Sequence, residues 1–376
     1  MKPAARLNTL LSLSLLSALG ICQGAQPFQP WLDYDLKNAL QPTLPDPMKA
    51  GDRWQVEDDA TQFSPLSNVI LADVASRHAL RIALNSAGSG NIVVLYPESA
   101  EPFRSVFKQI ISGIEDKTAN QLITIPVGAN PNIAEITSEL KRQDVRVIIA
   151  LGRNGLKAAL AVNMDVKIVA GGLISPPENE GRPLTLLSLA PDPGLLFDRL
   201  KTLMPGVRRV HVVYDPRNSG WLIRLARDAA RNAGLELVPL EATDLKSALQ
   251  QYQSLFANAD PRHDALWLPQ DATTTDDTTI LPVVLQESWT RNVAVFSSTL
   301  SHVKRGALFS LYPNTTSLGR NLASTALDSL SGNSQPFGTL PLKAVQVAVN
   351  LRTASHLGLS LSGRQQQGFD LVFSDP

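Results

Sequence analysis

The stretch from Leu189 to Leu240 alternates between apolar runs and amphipathic segments, and it constrains the fold more than any other part of the chain. Its apolar run Val210 to Tyr214 predicts a strand, which the polar turn Asp215 to Gly220 follows directly. The turn leads into an amphipathic segment, Trp221 to Ala233, which predicts a helix, and then into a second apolar run, Leu235 to Leu240. This order predicts a parallel pair of strands, because the helix returns the chain to the edge at which the first strand began.

The same alternation extends along the chain from Asn91 to Leu330. Strands separated by helices of this length indicate parallel sheets with helices on both faces. The 376 residues also exceed the size of one usual hydrophobic core. We therefore predict the α/β class, with two doubly wound parallel-sheet lobes that face each other across a hinge. Further strands are expected at Ile92–Tyr96, Leu122–Val127, Val145–Leu151, Val166–Ala170, Leu184–Leu189, Ala265–Pro269, Val293–Ser297 and Ala307–Leu311.

The N-terminus carries the features of a secretory signal peptide. Lys2 and Arg6 give a short positive region, and Leu7 to Ile21 is an apolar core built of Leu, Ser and Ala. We predict a signal peptide over residues 1–24, cleaved between Gly24 and Ala25. The apolar run is shorter than the roughly 20 residues that a membrane span needs. We therefore expect an exported, periplasmic protein.

Cys22 is the single cysteine of the chain and lies within the predicted signal peptide. Lipidation of Cys22 is the alternative, although Ile21 is bulky where lipoprotein signals carry a small residue. Without Cys22 the mature chain has no cysteine, which excludes disulfides, thiol catalysis and thiolate metal sites. Residues 25–90 are an N-terminal extension with one expected helix, Leu66 to Leu84, to which we assign no function.

The charge balance and the lack of catalytic motifs exclude several classes of function. The chain has 34 basic and 34 acidic residues, whereas a nucleic-acid partner needs a concentrated basic surface. No Gly-x-Ser-x-Gly elbow, His-Glu-x-x-His motif, Walker loop or dinucleotide-binding glycine pattern occurs in the sequence. The five histidines are scattered singly, which argues against a histidine-rich metal site. We predict a protein that is not an enzyme, with no catalytic residue, metal or cofactor.

Several segments are similar, in order and spacing, to those of a transport family. They are Leu200–Val210, Val213–Pro216, Ala265–Asp271, Val293–Ser297, Leu318–Arg320 and Val349–Leu359. On these segments the chain from Asn91 to Leu359 resembles the ABC-transporter substrate-binding proteins of the type I periplasmic-binding fold. The branch that it resembles includes binders of tryptophan and other amino acids. The chain has Ser310-Leu311 where the family usually has a glycine, and Glu98-Ser99 is not a recognised ligand pair, so the identity of the solute is not carried over.

The resemblance implies two lobes that close over a small solute about a hinge. Lobe one would contain residues 91–189 and the helix at 314–332, and lobe two residues 190–311 and the last strand at 338–350. Residues 351–376 would be a C-terminal tail. The implied function is that of a monomeric periplasmic solute-binding protein that serves an ABC-type importer through an inner-membrane permease. The alternative is a ligand-sensing or scaffolding protein coupled to a membrane receptor or sensor.

In the implied cleft, ligand groups come from the carboxyl ends of strands. The expected ligand-binding residues are Glu98, Ser99, Asn154 and Gly172 in lobe one, and Tyr214, Asn218, Gln270, Asp271, Ser297 and Tyr312 in lobe two. Asp271 would hold an ammonium or hydroxyl group, and the two tyrosines would form an aromatic wall. The structural alternatives are a helix cap for Ser99, an ordinary polar turn for Gln270-Asp271, and core packing for the tyrosines.

Overall fold

The computed structural model describes residues 92–118, 122–175, 183–333 and 337–374. The predicted signal peptide and Cys22, and the extension at 25–90 with its helix, lie outside the described residues. None of the helices within the described ranges combines the length and the apolar character that a membrane span requires. The described elements form two α/β lobes with parallel-dominated sheets, which confirms the predicted fold class.

The elements alternate along the chain much as the sequence predicts. The strands are β1 (Ile92–Pro97), β2 (Ile123–Val127), β3 (Val147–Leu151), β4 (Lys167–Leu173), β5 (Thr185–Pro191), β6 (Arg209–Tyr214), β7 (Glu236–Glu241), β8 (Asp264–Leu268), β9 (Ala294–Ser297), β10 (Phe309–Pro313), β11 (Gly338–Leu342), β12 (Val345–Asn350) and β13 (Leu371–Phe373). The helices are α1 (Phe103–Thr118), α2 (Ile133–Arg142), α3 (Gly152–Ala161), α4 (Pro193–Leu203), α5 (Pro216–Asn232), α6 (Leu245–Asn258), α7 (Ile280–Arg291), α8 (Leu300–Arg305), α9 (Thr315–Leu330), α10 (Leu351–His356) and α11 (Gly363–Gln366).

Lobe one contains a parallel sheet in the order β11-β5-β4-β3-β1-β2. Alternate side chains of its strands enter two separate apolar clusters, because neighbouring residues of a strand point to opposite faces. Val94 and Ile149 pack in the cluster that contains the buried faces of α1 and α9. Val93 and Ile148 pack with α2 and α3 on the other face. Burial on both faces explains why β3 is a continuous apolar run.

Lobe two contains a sheet in the order β13-β12-β10-β9-β8-β6-β7, in which β10 and β12 are antiparallel and the other pairs are parallel. Trp267 of β8 is fully buried and packs edge-on against Phe197 of α4, with ring centroids 5.8 Å apart. Leu266 and Leu268 point to the opposite face, where they join the cluster that contains α6 and α7. Helices therefore cover both faces of this sheet as well.

The chain crosses between the lobes at three adjacent places, from β5 to α4, from β10 to α9 and from β11 to β12. The crossings are hydrogen-bonded to one another: Asp192 N donates to Leu342 O and Asn314 N donates to Ala344 O, each at 2.9 Å. A short ladder of this kind joins the two bodies and is the predicted hinge.

The structure corrects two of the predicted boundaries. The segment at 338–350 is two strands and not one: β11 pairs with β5 in lobe one, and β12 pairs with β10 in lobe two. The two strands follow each other closely through the hinge, so their apolar residues read as one continuous strand in the sequence. The residues after 350 are not a separate tail, because β13 pairs with β12 and forms an edge of the lobe two sheet.

Helices α1 and α9 cross in lobe one with their backbones in contact. A β-carbon built on Gly113 would lie 2.0 Å from the carbonyl oxygen of Thr316, and one built on Gly319 would lie 2.0 Å from that of Ile110. The side chains of Arg320 and Asp116 form an ion pair of 2.9 Å beside the crossing. Because α9 is the helix that returns from the hinge, this contact fixes one of the three crossings onto lobe one.

Candidate functional site

A buried carboxylate ties together the loops that follow β6 and β8. Asp271 is 0% exposed. Its Oδ2 accepts hydrogen bonds from the Asp215 N–H and the Ser219 hydroxyl, each at 2.8 Å. Its Oδ1 accepts from the Thr273 N–H at 3.1 Å and from Nδ2 of Asn218 at 3.4 Å. Burial raises the pKa of Asp271 above its usual value, although these hydrogen bonds favour the ionised form. The predicted open carboxylate is therefore already matched by donors of the protein.

Helix α5 begins within the same cluster. The side chain of Asp215 caps the helix by accepting from the Arg217 N–H at 3.0 Å, and Nη2 of Arg217 donates to Oδ2 of Asp215 at 2.5 Å. Burial acts to raise the pKa of Asp215, but the hydrogen bonds and charge of Arg217 outweigh it and lower that pKa. Both carboxylates at this edge of the sheet thus have their partners within lobe two.

Gln270 is the exception in this polar cluster. It lies two residues beyond the end of β8 and is 6% exposed. Neither Nε2 nor Oε1 of its side chain has a hydrogen-bond partner in the described part of the chain. Buried side-chain amides are nearly always hydrogen-bonded, since desolvation without a partner is costly. The structure therefore places an unused donor and acceptor beside the Asp271 cluster.

The two tyrosines that were expected to form an aromatic wall are largely buried. The Tyr214 hydroxyl donates to Oε1 of Glu241 on β7 at 2.9 Å, and burial, together with this hydrogen bond, raises the pKa of Tyr214. Tyr312 packs in the same apolar cluster as Leu266, and burial, assisted by the charge of Asp370, raises its pKa to about 12. Both tyrosines therefore resemble core residues more than an aromatic surface that is open to a ligand.

Ser297 at the end of β9 belongs to a chain of three polar side chains. Its hydroxyl lies 2.8 Å from Nδ1 of His302 on α8, and Nε2 of His302 lies 3.0 Å from Oδ1 of Asp277. The residue types are those of a hydrolase triad, but Ser297 is 0% exposed and its Oγ also accepts from the Thr299 N–H at 3.0 Å. Because each of the three side chains bonds to the protein itself, they act as a brace that attaches the loop after β8 to the end of β9.

In lobe one, Glu98 and Ser99 line a cavity of about 770 Å³ between α1 and the edge of the sheet. The exposed Glu98 is held through its backbone N–H, which donates to Val127 O at 3.0 Å. The Ser99 hydroxyl donates to Pro97 O at 3.5 Å. Tyr96, Arg104 and Lys108 also line this cavity.

Asn154 and Gly172 lie at neighbouring strand ends of lobe one. Asn154 is partly exposed in the first turn of α3, and Gly172 is buried near the end of β4. Gly172 has a φ of +73°, and a β-carbon there would lie 3.3 Å from the backbone nitrogen of Gly152. Glycine at position 172 therefore allows both the left-handed backbone and the close approach of the loops after β3 and β4.

A second cavity, of about 760 Å³, lies beside the hinge. It is lined by residues of both lobes, among them Asp192, Asp198, Leu225, Asp328 and Lys343. None of the ten predicted ligand residues lines it, and only Glu98 and Ser99 line the cavity at α1. No group of three or more histidine, cysteine, aspartate or glutamate side chains in the described residues could hold a metal ion.

The sequence matches a family model described as ABC transporter substrate binding protein over residues 112–365. The chain belongs to this family. The membership confirms the resemblance seen in the sequence and supports a role in solute binding for this substrate-binding protein. No curated protein matches the chain.

Several solved structures are similar to this chain. A ligand-free, open structure of a substrate-binding protein with adhesive properties from Clostridium difficile is 18% identical, with 76% of this chain and 100% of that chain covered and a TM-score of 0.53. An ABC domain in complex with L-Trp from Streptococcus pneumonia is 16% identical, with 75% and 99% covered and a TM-score of 0.47. A periplasmic ribose ABC transporter from Conexibacter woesei is 12% identical, with 74% and 97% covered and a TM-score of 0.45. At 18% identity, the similarity to the Clostridium difficile protein shows the fold alone.

Sequence reasoning missed the residues that organise this edge of the substrate-binding protein. The sequence predicts no role for His302 or Asp277, yet their side chains are hydrogen-bonded to each other. Their separation of 25 residues gives no local signal. The pair Asp215-Pro216 does carry one, because an aspartate before a proline is typical of the start of a helix.

Proposed function

We propose that this protein captures a small molecule between its two lobes and delivers it to an ABC-type importer. The observation that carries the proposal is the amide of Gln270, which is buried and unpaired at the carboxyl end of β8. Open α/β sheets bind their ligands at this edge, and a solute that meets the amide would remove the cost of its burial. The three hinge crossings would allow the lobes to open for its entry and release.

The other candidate residues take supporting parts in this proposal. Asp271 and Ser297 would hold the loops around Gln270, since their polar atoms already bind the protein itself. Asn218 is partly exposed beside them and would reach the solute. The opposite side of the cleft would be supplied by lobe one, through Glu98, Ser99, Asn154 and Gly172. Tyr214 and Tyr312 would close the edges of the site.

A substitution of Gln270 provides a direct test. We expect Gln270→Met to raise the free energy of unfolding by about 1 kcal/mol, because it replaces an unpaired buried amide by an apolar side chain of similar size. We expect the same change to abolish solute binding. Chemical denaturation measures the first effect, and thermal-shift titration of the full chain with a library of metabolites, including amino acids, nucleosides and sugars, measures the second.

Gln286→Met is the matched control, because Gln286 is exposed on α7; it should change neither quantity. A protein that binds no compound of the library and carries no solute after purification would contradict the proposed function. Solute uptake by cells should also require both this protein and a permease, whereas a sensor would leave uptake unchanged.

The importer would draw its solute from the periplasm, so we propose that the protein is exported there. Mass spectrometry of the protein from the periplasmic fraction should find an N-terminus at Ala25. Cys22→Ala should leave export and processing unchanged. A mature chain that begins with a lipid-modified Cys22 would contradict this cleavage site.

A further inference from the structure

The amide of Gln270 sets a chemical condition on what binds at the end of β8. It carries an N–H donor beside a C=O acceptor, and both are buried without a partner among the residues that the structure describes. A molecule that satisfies both atoms at once must present an acceptor next to a donor. Glutamine reads such adjacent pairs by two parallel hydrogen bonds, as it does on the edge of adenine.

The carboxylates of Asp271 and Asp215, which belong to the same polar cluster as Gln270, already have partners within the protein. The Asp271 carboxylate accepts four hydrogen bonds, from backbone nitrogens of Asp215 and Thr273 and from the side chains of Asn218 and Ser219. The Asp215 carboxylate pairs with Arg217 at 2.5 Å. An ammonium group placed here would compete with these donors for the carboxylates. A carboxylate group would have to draw the same donors away from Asp271.

Two further carboxylates, Glu241 at the end of β7 and Asp277 in the loop after β8, also have partners within the protein. Glu241 accepts from the hydroxyl of Tyr214 at 2.9 Å. Asp277 is bonded to His302, and Nη1 of Arg305 lies 3.7 Å from the same oxygen of Asp277. Among the residues described at this edge of lobe two, these carboxylates therefore already have partners, whereas the amide of Gln270 has none, which favours a neutral group there over an ionic one.

We infer that the part of the solute that faces β8 is uncharged and carries a hydrogen-bond donor next to an acceptor, which pair with Oε1 and Nε2 of Gln270. The inference rests on the proposed function. Two kinds of molecule share this chemistry: those with an amide edge, such as carboxamides, lactams and nucleobases, and those with a pair of adjacent hydroxyl groups, such as sugars. Zwitterionic amino acids, carboxylates and phosphates are excluded from this position.

The test measures binding of three groups of probes to the full chain by isothermal titration calorimetry. The first group has amide edges (nicotinamide, benzamide, uracil, adenine), and the second has adjacent hydroxyls (ribose, galactose, myo-inositol). The third group is charged: nicotinate and benzoate as matched partners of the amides, the amino acids, and inorganic phosphate. In parallel, mass spectrometry identifies any solute that is released when the purified protein is denatured.

We expect the tightest-binding probe and any released solute to come from the first or second group. Which of these groups it comes from distinguishes a solute with an amide edge from one with adjacent hydroxyl groups. Gln270→Met should weaken that binding at least 100-fold, because a site built for two hydrogen bonds loses both. Gln270→Glu keeps the size but removes the donor, so it should weaken binding of the same probe at least tenfold. Circular dichroism and denaturation confirm that both variants are folded.

Two results would overturn the inference and leave the proposed function standing. One is a released solute or tightest probe from the charged group that has neither an amide edge nor a pair of adjacent hydroxyl groups. The other is a neutral ligand whose affinity is the same in the wild-type protein and in both Gln270 variants, as expected if an ordered water satisfies the amide. A protein that neither releases nor binds any solute contradicts the inference and the proposed function together.

Discussion

Gly319→Val is expected to destabilise the protein by about 4 kcal/mol or more, the size of effect that backbone overlap and overpacking produce. The first carbon of the new side chain would lie 2.0 Å from the carbonyl oxygen of Ile110 and 3.0 Å from the Cα of Gly113. Both neighbours belong to the backbone of α1, so neither can rotate away. The helices α1 and α9 would have to separate, and their packing in the lobe one core would be lost. The midpoint of urea denaturation measures the effect.

Gly220→Ala is the matched control for this substitution. Gly220 lies within α5, and a β-carbon there meets nothing within 4 Å. The change should therefore raise stability by about 0.5–1 kcal/mol, since alanine favours the helix and restricts the unfolded chain. A Gly319→Val protein with the wild-type midpoint would show that α1 and α9 are not in backbone contact in solution.

Much of the fold could be predicted from the sequence because parallel strands buried on both faces leave a strong pattern. β3 is five consecutive buried apolar residues, a run that is typical of a strand covered on both faces. The segment at 338–350 could not be assigned, because periodicity does not report which sheet a strand joins. β11 and β12 have similar composition, yet they pair in different lobes. β13 is only three residues long and gives no signal of its own.

The positions of polar residues at the carboxyl ends of the strands could be predicted from the sequence, but their contacts could not. Polar residues after strand ends mark the ligand edge of a parallel sheet whatever their role. Whether a carboxylate there faces a solute or the protein depends on contacts across more than 50 residues, such as that between Ser219 and Asp271. The sequence predicts the same ligand-binding role for Gln270 and Asp271. Their surroundings are opposite, since Asp271 has four donors and Gln270 has no partner within the described residues.

Asp271→Ala is expected to lower the free energy of unfolding by about 3 kcal/mol, because it leaves buried donors without an acceptor. The sequence alone predicts little effect on stability, with Asp271 as an open ligand group. In the structure its carboxylate joins the loops after β6 and β8, and Gln270 is its neighbour in the chain. Solute affinity should also fall at least tenfold, about 1.4 kcal/mol, because Gln270 loses its fixed position. Denaturation and titration calorimetry measure the two effects separately.

The difference in the free energy of unfolding between the wild-type and Asp271→Ala proteins should depend on pH, because Asp271 titrates and alanine does not. The pKa of Asp271 is raised in the folded protein above the unfolded value of 3.8 by burial. The folded state therefore holds the proton more tightly than the unfolded state. As a result, the contribution of Asp271 to the free energy of unfolding falls as pH rises from 3.8 through the folded pKa. Alanine has no such dependence, so the gap between the two proteins should narrow from pH 4 towards pH 7. Asp228→Ala, at an exposed position of α5 paired with Arg231, should cost less than about 0.5 kcal/mol at every pH. If the Asp271→Ala variant loses solute affinity but keeps its stability, the carboxylate binds the solute directly. That result would contradict its structural role in joining the two loops.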